Sequence, residues 1–191
     1  MMERTMQQNT ERKKIHPHKF ALWVAMGSII MMFAGLTSAY IVRKSQGNWV
    51  EYHLPPVFWV STIAILLSSI TMILGIRAFK NRAMAKFKAM MWLTIILGVA
   101  FAILQYVGFK ILYAQNIRVD GNPSESFVFI IAGLHLLHIL GGIIALLIVF
   151  FRASRTRVKV YNAVGLEIAG AYWHFVDVLW IYLFVFFLAN Q

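Results

Sequence analysis

Five long apolar runs constrain this chain more than any other feature: Phe20–Val42, Val57–Ile76, Ala89–Phe109, Phe127–Phe151 and Ile168–Leu188. Each is about as long as the 20 or so residues an α-helix needs to cross a hydrocarbon core of about 30 Å. No water is available there, so every backbone N–H and C=O must be paired within the element. A barrel strand would show about ten residues of strict alternation instead. The expected fold is therefore all-α: a polytopic membrane protein with five transmembrane helices. A soluble domain could not hide the apolar surface of a chain that is 60% hydrophobic. Residues 1–19 are polar and mixed in charge. They are expected to form a flexible cytoplasmic segment ahead of one membrane domain, 20–191. The first run is too long for a signal-peptide core and reads as the first spanning helix.

The net charge of +11 invites a nucleic-acid partner. Its distribution argues against one. Arg4, Arg12, Lys13, Lys14 and Lys19 precede the first run. Arg77, Lys80, Arg82, Lys86 and Lys88 follow the second, and Arg152, Arg155, Arg157 and Lys159 follow the fourth. All of these lie on one side of the bilayer. The other side has Arg43, Lys44, Lys110 and Arg118. Positive loops stay inside, which places the N-terminus in the cytoplasm and the C-terminus outside. The basic residues then serve as topology signals and lipid-headgroup anchors.

Cysteine is absent. Disulfides, thiolate metal sites, covalent haem attached through Cys-x-x-Cys-His and a cysteine-bridged copper pair are all excluded.

There is no internal repeat and no second domain. The gaps between runs, about 11–17 residues, favour antiparallel neighbours. Pro55 and Pro56 stand before the second helix, where a missing N–H is harmless. Gly121-Asn122-Pro123-Ser124 reads as a turn, with Ser124 or Ser126 as a helix cap. Gly27, Gly35, Gly133, Gly141 and Gly142 suit close helix approach. Trp23, Tyr40, Trp49, Trp59, Trp92 and Tyr113 lie near helix ends and read as interfacial anchors. Gln105 and the Ser61, Thr62, Ser68, Ser69, Thr71 series suit hydrogen bonding along or between helices. His16, His18 and His53 receive no role.

The informative exceptions are ionisable residues inside the runs. His135 and His138 are three apart on the fourth helix and share a face. Glu167, His174 and Asp177 lie at spacings of seven and three on the fifth. A charged group at mid-bilayer costs roughly 2.5–3.5 kcal/mol on insertion scales, so such groups face a partner, a bundle interior or water. At a rise of about 1.5 Å per residue, His138 is about 16 Å from its end of the fourth run and Asp177 about 13 Å from the opposite end of the fifth. In a core of about 30 Å those depths nearly coincide, and Asp177 is expected to pair with a histidine. Glu167 sits at the cytoplasmic edge. Three chemistries fit. The residues form a polar seam that locks helices to one another or to lipid headgroups. Alternatively they ligate a b-type haem or a metal, as an autonomous membrane protein using His135, His138 and His174. In the third, they pass protons.

The sequence resembles subunit III of the haem-copper terminal oxidases, the cytochrome c oxidase subunit III family, in a short five-helix bacterial form. The segment Tyr172-Trp173-His174-Phe175-Val176-Asp177-Val178-Leu179-Trp180 is similar to that family's closing-helix signature. Gly165-Leu166-Glu167 matches the Gly-x-Glu before it. Gly133-Leu134-His135-Leu136-Leu137-His138 with Gly142 matches G-x-H-x-x-H-x-x-x-G. Two departures stand out. Larger members begin with two further helices. Members also commonly carry membrane glutamates where this chain offers Ser28 and Gly108.

The resemblance implies a subunit with no redox centre or catalytic residue of its own. It implies packing against the haem- and copper-bearing subunit I, contact with subunit II and other subunits, bound phospholipid, and support of proton uptake in the bacterial inner membrane. His135, His138, Glu167, Trp173, His174, Asp177 and Trp180 would form its lipid-binding or structural polar core. Composition agrees, since three membrane histidines are too few for two haems and a copper.

Overall fold

A computed structural model describes residues 17–45, 54–114, 123–155 and 164–190. Each apolar run becomes one helix: α1 Pro17–Lys44, α2 Val57–Lys80, α3 Met84–Ala114, α4 Pro123–Arg155 and α5 Val164–Asn190. All five are long and apolar enough to cross a membrane. No strand occurs among the described residues.

Every helix outruns its apolar core. The α3 helix has 31 residues and α4 has 33. At about 1.5 Å per residue they reach well past a core of about 30 Å. Once the ladder of backbone bonds is established, polar residues such as Lys80 and Lys86 extend it into the headgroup layer. The connection between α2 and α3 therefore shrinks from the expected dozen residues to Asn81, Arg82 and Ala83. It closes as a Schellman turn: Arg82 N–H donates to the Phe79 carbonyl and Ala83 N–H to the Ala78 carbonyl. Arg82 takes φ 57°, the left-handed position that glycine usually fills.

The helices alternate in direction. Helices α2, α3, α4 and α5 close a ring, each touching the next, and α1 packs across α4 and α5 alone. It is the least buried of the five spans. Polar contacts hold it along its length: Lys19 to Glu167, Thr37 to the Tyr182 hydroxyl, and Lys44 Nζ to the Asn190 carbonyl.

Tyr40 departs from the interfacial role expected of it. It is fully enclosed, stacks edge-on to Phe127 and Phe186, and its hydroxyl donates to the Asn190 carbonyl. Trp23, Trp59, Trp92 and Tyr113 are exposed. Of the five glycines read as packing positions, Gly142 meets a neighbouring helix, whereas Gly27, Gly35, Gly133 and Gly141 have nothing within 4 Å of an added Cβ. Residues 1–16, Trp49, His53, Arg118, Arg157, Lys159 and Gly121-Asn122 lie outside the described residues, as does the Ser124 side chain proposed as a cap.

Candidate functional site: a polar seam between the second and fifth helices

The seam begins with two tryptophans. Trp173 and Trp180 are seven apart on α5 and so point the same way, into the ring. Trp173 is wholly buried. Its indole Nε1 donates to the Ser68 hydroxyl at 3.1 Å, and Ser68 in turn donates to the Thr94 carbonyl on α3. The Thr71 and Thr94 hydroxyls lie 2.8 Å apart. One bond network thus ties α5, α2 and α3. The ring fits because Gly98 and Gly142 leave its space open: an added Cβ would come 2.7 Å and 3.1 Å from it.

Trp180 repeats the pattern two turns away. Its Nε1 donates to the Thr62 hydroxyl at 3.0 Å. Its ring stacks on His135 with centroids 5.3 Å apart and meets Phe101 edge-on. Nearby, the Gln105 amide donates to the Ser61 hydroxyl. The polar positions of α2, read as general hydrogen bonders, are thus specific sockets for α5 and α3.

The ionisable residues divide among different neighbours. Glu167, in the first turn of α5, accepts from Lys80 of α2 at 2.8 Å and from Lys19 of α1 at 3.3 Å. Two ammonium groups against one carboxylate leave the cluster with an excess positive charge. His174 Nδ1 is 2.7 Å from the Ser69 hydroxyl of α2. His138 Nδ1 donates to the Leu134 carbonyl of its own helix, and the His138 carbonyl accepts from Tyr172. Neither ring nitrogen of His135 has a hydrogen-bond partner, and the ring is held by aromatic contacts with Trp180, Phe101 and Phe33. Asp177 is only 2% exposed; neither carboxyl oxygen has a partner within strict hydrogen-bond geometry, and the Ser69 hydroxyl is its polar neighbour.

Two expectations change. Asp177 does not pair with a histidine: it lies on the α2 side of α5, while His135 and His138 face Trp180 and α1. Matched depth did not bring the groups together, because the helices present them at different angles. Nor do the histidines converge on a common point. His138 lies against Phe33 of α1, His174 against Ser69 of α2, and His135 between the Trp180, Phe101 and Phe33 rings. Among the described residues no group of three or more His, Asp or Glu side chains is placed to hold a metal ion. The reading of an autonomous haem or metal protein built on His135, His138 and His174 is therefore not supported.

The sequence reading missed Lys19 and Lys80 as partners of Glu167, Thr94 and Tyr172 as bond makers, and Gly98 as a socket for Trp173. For the lysines a signal existed, since charge counting already put them at the same membrane face as Glu167.

This geometry defines a class: a polytopic membrane helix bundle whose polar side chains bind its helices together. The family model for cytochrome c oxidase subunit III matches residues 52–189. A cytochrome c oxidase subunit 3 of Corynebacterium diphtheriae is 31% identical over 175 residues, covering 85% of this chain and 85% of that protein. The cytochrome c oxidase subunit 3 of Alkalihalophilus pseudofirmus is 30% identical over 178 residues, covering 85% and 81%. That of Bacillus sp. strain PS3 is 27% identical over 166 residues, covering 85% and 80%. The chain belongs to the cytochrome c oxidase subunit III family, and its role is that of subunit III in a haem-copper oxidase.

Proposed function

We propose that this chain is the non-catalytic helix-bundle subunit of a respiratory oxidase that reduces oxygen to water and pumps protons. In this reading it packs mainly against the haem- and copper-bearing subunit I, with further contact to subunit II. It keeps that neighbour intact during turnover and supports proton uptake. The observation that carries the reading is the use of the α5 polar groups. Trp173, Trp180 and His174 all engage Ser68, Thr62 and Ser69 of α2. These groups fix helix register, which is the work of a supporting subunit.

Phospholipid is part of the same proposal. The Lys19–Glu167–Lys80 cluster has an excess positive charge at one end of the bundle, beside apolar helix surfaces. An anionic phosphate headgroup suits that cluster and acyl chains suit the surfaces beside it. The placement is the inner membrane of a bacterium, with residues 1–19 as a cytoplasmic segment ahead of the membrane domain 20–191. His135, His138, Glu167, Trp173, His174, Asp177 and Trp180 are the structural core.

The test is the active lifetime of the whole oxidase. His174→Leu and Glu167→Ala should weaken assembly or shorten the interval over which the complex turns over before inactivating. Unchanged yield together with unchanged lifetime in both variants would count against the role.

A further inference from the structure

His138 stands beside Phe33 of α1 at mid-membrane depth, partly buried, with one ring nitrogen that lacks a donor among the described residues. Its Nδ1 lies 2.7 Å from the Leu134 carbonyl. A carbonyl only accepts, so Nδ1 carries the proton and neutral His138 has Nε2 as a bare acceptor. No described residue bonds that nitrogen, and the side chain is only partly buried. Two described neighbours supply no donor: the Phe33 ring lies 5.8 Å away by centroid, and the Tyr172 hydroxyl donates to the His138 carbonyl.

Depth makes this informative. His138 is 12 residues into the span Ser126–Ser154, or about 18 Å along it. Acyl chains at that depth have no donor, and polar groups in spans face protein or water-filled cavities. The surface beside it is open to a close neighbour. Gly141 is exposed, with nothing within 4 Å of an added Cβ, and Leu137 is 62% exposed. Glycine at such a place allows a second helix to approach closely.

We propose that the α4 face carrying His138 and Gly141 docks a transmembrane helix of a companion oxidase subunit, which presents a hydroxyl, amide or indole donor to His138 Nε2. This rests on the reading of the chain as a subunit of an oxidase complex. It adds which face meets the companion and through what chemistry.

The test uses the intact complex. A benzophenone amino acid replaces Leu137, with a control at Val185, which is exposed on α5. Illumination should join position 137 to a companion chain. Joining to lipid alone, or to a second copy of this chain, overturns the proposal. In parallel, His138→Ala should reduce retention of the chain in detergent-washed complex about fivefold, and His138→Gln, which keeps a side-chain acceptor, should restore most of it. Retention of His138→Ala at the native level also overturns the proposal. Should His138→Ala fail to accumulate, the cross-link with native His138 still decides. Co-purification of a haem-bearing companion with only lipid joined at position 137 would remove this face and leave the subunit role standing.

Discussion

The Trp173 indole lies so close to Gly98 that a Cβ on that glycine would sit 2.7 Å from ring atom Cη2. The ring cannot retreat without cost. Its Nε1 is bonded to Ser68 and its other side meets Gly142 at a would-be 3.1 Å. Three helices, α3, α4 and α5, approach each other through this one contact.

Gly98→Ala should therefore destabilise the bundle by about 1–3 kcal/mol, the usual cost of overpacking. Gly27→Ala adds the same methyl group where nothing lies within 4 Å, and should be close to neutral. Thermal inactivation of the detergent-solubilised complex, compared between the two variants, checks this. Equal behaviour would remove Gly98 as a packing position.

Ser68→Ala should cost about 1–3 kcal/mol, because it leaves the wholly buried Trp173 N–H without an acceptor. Ser28→Ala loses a hydroxyl that bonds only a nearby carbonyl of its own helix at an exposed position. It should stay within about 0.5 kcal/mol. The same inactivation assay separates them.

The Glu167 cluster is expected to behave differently. Its side chain is 32% exposed and those of Lys19 and Lys80 are 43% and 53% exposed. Ion pairs this open are screened and contribute about 0–1 kcal/mol each. Glu167→Gln should weaken the complex modestly at low salt. The difference from the native chain should shrink at 1 M salt, where the screening length is about 3 Å. A salt-independent loss would point to packing in place of charge.

His174→Leu removes the partner of the Ser69 hydroxyl. It should shorten the oxidase's turnover lifetime, and His174→Asn should recover part of it by restoring a polar partner. Progress curves of oxygen consumption report both. Identical curves for native, Leu and Asn forms would show that the Ser69 bond has no bearing on lifetime.

The five helices were legible because the cost of unpaired backbone in hydrocarbon leaves one solution for such runs. Helix ends were not, since Lys80 and Lys86 extend helices beyond the apolar limit. Nor was the pairing of faces. A span that is apolar all round does not announce which side is buried, so exposed Trp59 and enclosed Tyr40 looked alike. The candidate site was legible in its members, His135, His174 and Asp177, because each is expensive where it stands. Its bonds were less so. Ser69 and Lys80 come from another helix, and their angle about its axis follows from the packing of all the others. Spacing along α5 put His174 and Asp177 on one side but could not say that Ser69 of α2 would stand between them, 2.7 Å from the His174 Nδ1.

The central claim is that this chain serves a haem-bearing neighbour and carries no redox group. The most direct measurement is purification of the affinity-tagged chain in mild detergent, with an absorbance spectrum and identification of co-purifying chains, followed by dissociation in harsher detergent. The expected result is a Soret band that enters with a companion subunit and leaves with it, the isolated chain being colourless. A Soret band retained by the isolated chain, or a chain that emerges with no haem-bearing companion, would contradict the account.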